Sequence, residues 1–170
     1  MDTRHIRAET TIGELEIVAD GPAITGIYFP NHAKHPGAGS LGVRTSEERD
    51  PLLSRTAQQI REYLAHSRRS FDVPIAPAGD ETSQRIWSLL TEIPYGSTVT
   101  YGQIAETLGD RSLAQRVGQA VGRNPISIIV PCHRVVGAGG ALTGYAGGLE
   151  RKRILLELEE PAEAAAERLF

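Results

Sequence analysis

Short segments of alternating apolar and polar residues fill the first third of the chain, and longer segments of helical period follow. His5-Ile6-Arg7-Ala8-Glu9, Glu14-Leu15-Glu16-Ile17-Val18 and Ile24-Thr25-Gly26-Ile27-Tyr28-Phe29 have the period of strands with one buried face. Gly13 and Asp20-Gly21-Pro22 interrupt them, which predicts a meander of antiparallel strands. Residues 30–48, with Pro30, Pro36, Gly37, Gly39 and Gly42, read as a loop. Asp50-Pro51 predicts a helix start, because aspartate suits the N-cap and proline the first helical position. Leu53, Ala57, Ile60 and Leu64 then recur at helical spacing as one buried stripe. Phe71 to Ile75 reads as an edge strand and Ala76-Pro77-Ala78-Gly79 as a linker, with a domain boundary between 77 and 78.

Helical period dominates the second half. Asp80 predicts the cap of a helix carrying Ile86, Leu89 and Leu90, with Trp87 as a core residue on its flank. Thr100 caps a helix from Tyr101 to Leu108 that Gly109 closes, and Ser112 caps one from Leu113 to Gly122. Two short helices joined by Gly109-Asp110-Arg111 make a helix-turn-helix candidate. Ala114, Gly118 and Gly122 leave one face of the second helix nearly bare beside Gln115. Packing against another helix and close approach to a nucleic-acid backbone both select such a face. Ala162 to Ala166 form an alanine-rich tail.

Composition narrows the class. Forty per cent hydrophobic and 23 % charged residues describe a folded globular protein. No apolar run is long enough to span a bilayer, and Met1-Asp2-Thr3-Arg4-His5 lacks the pattern of a secretory signal. A single cysteine can close no internal disulfide, so a reducing, cytoplasmic setting is expected. His32 and His35 lie in the loop without cysteine or carboxylate companions, and no metal site is expected there. The net charge of −3 argues against a nucleic-acid partner only until it is mapped. Arg111, Arg116, Arg123, Arg134, Arg151, Lys152 and Arg153 face the single acid Glu150 between 111 and 153. Glu157, Glu159, Glu160, Glu163 and Glu167 crowd the tail with Arg168. Such segregation predicts phosphate contact by the basic segment.

That basic segment holds the cysteine. Cys132 follows the β-branched run Ile128-Ile129-Val130-Pro131, which predicts a position at the end of a buried strand. A thiol reacts as the thiolate, and His133 and Arg134 are groups that raise the ionised fraction. A lone Cys-His pair leaves two readings open, a small buried hydrophobe or a nucleophile.

The flanking words favour the second. Asn124-Pro125-Ile126-Ser127-Ile128-Ile129-Val130-Pro131-Cys132-His133-Arg134-Val135-Val136-Gly137, continued by Gly139-Gly140-Ala141-Leu142-Thr143-Gly144-Tyr145-Ala146-Gly147-Gly148-Leu149, closely resembles the active-site block of the methylated-DNA–protein-cysteine methyltransferases, or O6-alkylguanine-DNA alkyltransferases. Ile93-Pro94-Tyr95-Gly96-Ser97-Thr98-Val99-Thr100-Tyr101-Gly102-Gln103-Ile104-Ala105 resembles the same family's second signature. The resemblance is strong over residues 78–160 and weaker over the first 75.

It implies an α+β fold. Residues 1–77 would form an α/β domain resembling the RNase H arrangement. Residues 78–170 would form a mainly helical, winged-helix-like domain containing the helix-turn-helix. It implies irreversible, single-turnover transfer of the alkyl group from O6-alkylguanine, and from O4-alkylthymine, in double-stranded DNA to Cys132. In the resemblance His133 is the base, acting through a water, and Glu159 orients and charges its imidazole. Asn124 bonds within the turn that presents the cysteine, Tyr101 donates to the guanine ring and helps turn the phosphate, and backbone groups of Cys132, Val135 and Ala146 read the purine edge.

The recognition helix would enter the minor groove through Ala114 and Gly118, with Arg123 as a further DNA contact. The family fills the gap left by the flipped base with an arginine, and here that position is Gln115, a departure. Arg116 follows about 100° round the helix and is expected to meet a phosphate. Arg134 is given no direct role. No cofactor, metal, membrane or obligate protein partner is implied. A non-enzymatic sensor of alkylated DNA, as in alkyltransferase-like relatives without the cysteine, and a cysteine hydrolase are the competing readings. Cys132 counts against the first, and the upstream helix-turn-helix against the second.

Overall fold

The computed structural model describes residues 2–161, so the alanine-rich tail lies outside the described residues. Strands β1 (Thr3–Thr10), β2 (Gly13–Asp20) and β3 (Ala23–Tyr28) form the expected antiparallel meander. A two-residue strand, β4 (Val43–Arg44), adds in parallel to β1, giving the order β3-β2-β1-β4. Register places Ile6 opposite Ile17 and Ala8 opposite Leu15, all buried against helix α1 (Pro51–Leu64). Asp50 caps α1, its Oδ1 accepting from the Leu53 N–H at 3.0 Å, and it also pairs with Arg4 of β1. The buried stripe of α1 runs through Leu53, Ala57, Ile60 and Tyr63, while Leu64 is half-buried. Tyr63 is there because its hydroxyl has a partner in the other half of the molecule.

Phe71 to Ile75 does not form the expected edge strand. Only a parallel bridge joins Ile75 to Ile24, with the Ile24 N–H donating to the Pro74 carbonyl and the Ala76 N–H to the Ile24 carbonyl, each at 2.8 Å. Pro74 has no N–H to extend a ladder, and the Asp72 N–H is taken by the Gln59 side chain of α1. Further along β3, the Ile27 N–H donates to the Pro125 carbonyl at 2.8 Å. The edge of the sheet is thereby tied to the segment that leads to Cys132.

The second half contains helices α2 (Glu81–Thr91), α3 (Tyr101–Thr107), α4 (Ala114–Gly122) and α5 (Leu149–Glu159). Strands β5 (Val99–Thr100) and β6 (Val135–Val136) pair in parallel. Asp80 caps α2, and Thr100 with Gln103 forms a reciprocal capping box on α3. The start of α4 differs from expectation. Helix α4 itself has no side-chain cap; Asp110, not Ser112, caps the turn before it, accepting from the Ser112 N–H at 2.9 Å and its hydroxyl at 2.7 Å. One 3₁₀ turn, Arg111–Leu113, therefore precedes α4. A carboxylate is the stronger acceptor, which explains the exchange of roles. Helices α3 and α4 pack together across Gly109 as a helix-turn-helix, and buried Trp87 donates its indole N–H to the Ala120 carbonyl at 2.8 Å, fixing α2 to α4.

One continuous core joins the halves, from Ile6, Ile17 and Ile27 through Ile126 to Val117 and Leu155. No helix among the described residues is long and apolar enough to cross a membrane.

Candidate active site

The β-branched run before Cys132 is a folded turn, not a strand. Asn124, buried, donates from Nδ2 to the Val130 carbonyl at 2.9 Å and accepts at Oδ1 from the Ile126 N–H at 3.0 Å. The Val130 N–H closes on the Ile126 carbonyl at 3.0 Å. Ile128 sits at φ 74°, a left-handed conformation that a β-branched residue adopts only when its surroundings hold it there. A period-based reading misses this, because the apolar side chains are buried as a strand's would be. Pro131 then leads into a 3₁₀ turn, Cys132–Arg134, from which Cys132 lines a cavity while His133 and Arg134 both reach Glu159.

Cys132 faces a cavity of about 580 Å³ that Tyr101, Gly118, Tyr145 and Ala146 also line. Burial pushes the Cys132 thiol up, against the opposing pull of the Asn124 amide and the Lys152 charge. The sequence suggested that His133 and Arg134 raise the thiolate fraction; here the resting thiol is protonated, and Arg134 turns away from it.

His133 and Arg134 turn towards Glu159. The fully buried His133 donates from Nε2 to Glu159 Oε2 at 2.8 Å. Arg134 donates to both carboxylate oxygens, at 2.7 and 2.9 Å, and to the Ile93 carbonyl at 2.6 Å. The Tyr63 hydroxyl adds a further bond to Oε2 at 2.5 Å. Burial pushes the Glu159 carboxyl up, but the His133 and Arg134 hydrogen bonds outweigh it and hold the group down at about 2. An ionised carboxylate only accepts, so His133 carries its proton on Nε2 and leaves Nδ1 as an acceptor. That Nδ1 is buried and has no protein partner among the described residues. Burial lowers the His133 pKa despite Glu159, so the ring is neutral at neutral pH.

Two residues with no assigned role complete the frame. Lys152, wholly buried on α5, donates from Nζ to the Val135 carbonyl at 2.7 Å and the Thr143 carbonyl at 3.2 Å. The Tyr101 hydroxyl lies 2.8 Å from Thr143 Oγ1. Lys152 and Thr143 thus link β6, the Gly144–Gly148 segment and Tyr101. In the sequence Lys152 looks like one more cation of a basic cluster, and only its burial distinguishes it. Val135 is buried in β6, whereas the Ala146 carbonyl accepts from the Ala33 N–H at 2.9 Å.

Along α4, Gly118 packs beside the Tyr101 ring, and a Cβ there would stand 3.8 Å from it. Gln115 is exposed and Ala114 half-buried, neither lining the cavity, while Gln119 and Arg123 do. Arg116 differs from expectation: its guanidinium is paired with Asp80 at 2.9 Å, which commits the charge to the cap of α2. Among the described residues no three His, Cys, Asp or Glu side chains are placed to hold a metal ion.

Glu159 therefore anchors Tyr63, His133 and Arg134 at once. Glu159→Gln should destabilise the protein by about 3–5 kcal/mol, because it leaves buried Arg134 without its counter-charge. A carboxyl held below its ordinary value stabilises the fold above that value, and the contribution is lost as pH falls from about 4.5 towards 2. Urea unfolding at pH 7 and across that acid window tests both points. A variant matching the parent in midpoint, or in its loss of stability on acidification, would contradict them.

Two family models together match most of the chain: the 6-O-methylguanine DNA methyltransferase ribonuclease-like domain over residues 4–77, and the DNA binding domain of the same family over 81–161. The methylated-DNA–protein-cysteine methyltransferase of Mycobacterium tuberculosis is 42 % identical over 168 residues, covering 98 % of each chain. Its namesake in Methanosarcina acetivorans is 43 % identical over 152 residues, 89 % of this chain and 94 % of its own. The crystal structure of Mycobacterium tuberculosis OGT in complex with DNA superposes with a TM-score of 0.80 at 38 % identity, over 95 % of this chain and 97 % of that one. With both domains matched and a relative 42 % identical over nearly the whole chain, the chain belongs to the methylated-DNA–protein-cysteine methyltransferase family.

Proposed function

We propose that this protein repairs alkylated DNA directly, taking the alkyl group from O6-alkylguanine, and by the same chemistry from O4-alkylthymine, onto Cys132. The observation that carries the reading is the protein's one cysteine, set on the wall of a base-sized cavity beside a buried His133–Glu159 pair.

A buried thiol cannot reach a base inside a duplex, so the damaged nucleotide must be flipped into the cavity, at a cost of about a few kcal/mol. The Cys132 proton passes to His133 Nδ1 through a bridging water while Sγ attacks the alkyl carbon. The new S–C bond forms as the C–O6 bond breaks, and the electron pair leaves with the guanine. Tyr101, its hydroxyl held by Thr143, donates to the leaving ring, and backbone groups of Cys132, Val135 and Ala146 read its edge. Glu159 keeps His133 in the accepting tautomer and stabilises the imidazolium that forms, which is triad logic applied to a thiol. Because the resting thiol is protonated, proton transfer accompanies attack. Asn124 and Lys152 are positioning residues here. Nucleophile, base and donor are all side chains, so the reaction calls for no cofactor.

The product is a thioether, and the chain has no second thiol to remove the alkyl group. Each molecule acts once. Residues 78–170 hold the DNA-binding helices and the acceptor, and residues 1–77 buttress them. A reducing, cytoplasmic setting suits a thiol that must remain unoxidised.

On DNA, α4 enters the minor groove by its bare face, with Arg123 near the backbone and Gln115 at the vacated stack. Arg116, paired with Asp80, serves the helix rather than a phosphate.

Cys132→Ser should keep the fold and duplex binding but transfer no label from duplex DNA carrying O6-[³H-methyl]guanine, since a hydroxyl is a far weaker nucleophile than a thiol. Residual transfer by that variant would remove Cys132 from the mechanism. A glutamine is shorter than arginine and uncharged, and gains less from the negative potential of the minor groove. Gln115→Arg should therefore speed single-turnover repair of duplex DNA by about tenfold, a gain of roughly 1.4 kcal/mol, and change repair of single-stranded DNA little. Equal acceleration on both substrates would show that position 115 takes no part in extrusion.

A further inference from the structure

The cavity that holds Cys132 is not built by the C-terminal half alone. Ala33 and Lys34, from the loop after β3, line it as well. This loop is ordered by its own bonds. The Phe29 N–H donates to His32 Nδ1 at 3.2 Å, the His32 N–H to the Phe29 carbonyl at 3.1 Å, and the His35 N–H to the His32 carbonyl at 3.3 Å. The His32 ring is buried and stacks on Phe29 with centroids 6.0 Å apart. The Ala33 N–H then bonds the Ala146 carbonyl at 2.9 Å, clamping the loop to the segment that closes the cavity. Phe29 reinforces the clamp: a Cβ on Gly147 would lie 2.5 Å from its ring.

Lys34 is the product of this construction. It sits at φ 65°, a left-handed conformation uncommon for lysine, which turns it out of the loop at the cavity's edge. Its side chain is exposed and makes no ion pair among the described residues. The cavity lining contains two cations, Lys34 and Arg123, on opposite halves of the molecule, and no acid. A neutral base entering the cavity has no use for two positive charges at its rim, but the phosphodiester that carries the base does. A compact ammonium on a flexible stem suits such a point contact.

We propose that Lys34 is a DNA-backbone contact of the alkyl-transfer site, sharing the cavity lining with Arg123 and pinning the phosphodiester of the flipped nucleotide. This rests on the repair reading above and extends the DNA surface onto the N-terminal half. Because the loop is clamped to Ala146, the same element that positions the reading edge for the purine also holds its backbone.

The test separates backbone from base. Duplex DNA carrying O6-methylguanine and the free base O6-benzylguanine, which has no phosphate, serve as the two substrates for Lys34→Ala, Lys34→Arg and the unaltered protein. Lys34→Ala should lower the slope of log affinity for duplex against log salt by about 1 and slow duplex repair at limiting DNA by about fivefold. It should leave transfer from the free base unchanged, which also shows that the variant is folded, and Lys34→Arg should restore the slope. An unchanged salt slope overturns the proposal, as does an equal loss on both substrates, which would make Lys34 a base contact or a structural residue. Failure of the unaltered protein to accept the alkyl group from either substrate would count against the repair reading, while the salt slope would still decide whether Lys34 touches the backbone.

Discussion

The buried Glu159 carboxylate is the interaction on which the site depends. It comes from α5 and gathers Tyr63 of α1 with His133 and Arg134 of the cysteine turn. Ionised carboxylates are rarely buried unless every lone pair is answered, and here each oxygen accepts at least one charge-assisted bond. The same bonds set the chemistry. They fix the proton of His133 on Nε2, leave Nδ1 as a buried acceptor, and draw Arg134 away from Cys132. Fold stability and proton acceptance are therefore properties of one network, and its contribution from Tyr63 joins the N-terminal half to the catalytic turn.

The thiol's surroundings follow from that arrangement. With Arg134 neutralised by Glu159, burial dominates and keeps Cys132 protonated. A protonated thiol in a protein that can react only once is protected from adventitious electrophiles until a base fills the cavity. Lys152, buried and bonded to the carbonyls of Val135 and Thr143, supplies a fixed positive charge close enough to favour the thiolate as it forms.

Much of this was legible in the sequence because it is written in local patterns. The meander of β1–β3, the Asp50, Asp80 and Thr100 caps and the α3–α4 pair follow from period and capping chemistry, and Cys132, His133 and Asn124 from a contiguous motif. What was missed depends on distant contacts. Phe71 to Ile75 has strand composition, but Pro74 and the Gln59 bond to Asp72 leave it a single bridge. Ile128 to Val130 look like a strand end and instead fold around Asn124. Arg116 was expected to be available for a phosphate, yet Asp80, 36 positions earlier, already holds it. Tyr63, Lys152 and Lys34 carry no motif at all; their meaning comes from what the tertiary fold places beside them.

The central claim is that the alkyl group ends on Cys132, once per molecule and without release. The most direct measurement incubates the protein with excess duplex containing O6-methylguanine, then determines intact mass and maps the modified peptide. The account predicts one added methyl per molecule, located on Cys132, with guanine restored in equal amount. Restored guanine exceeding the protein, or a methyl group on any residue other than Cys132, would contradict it.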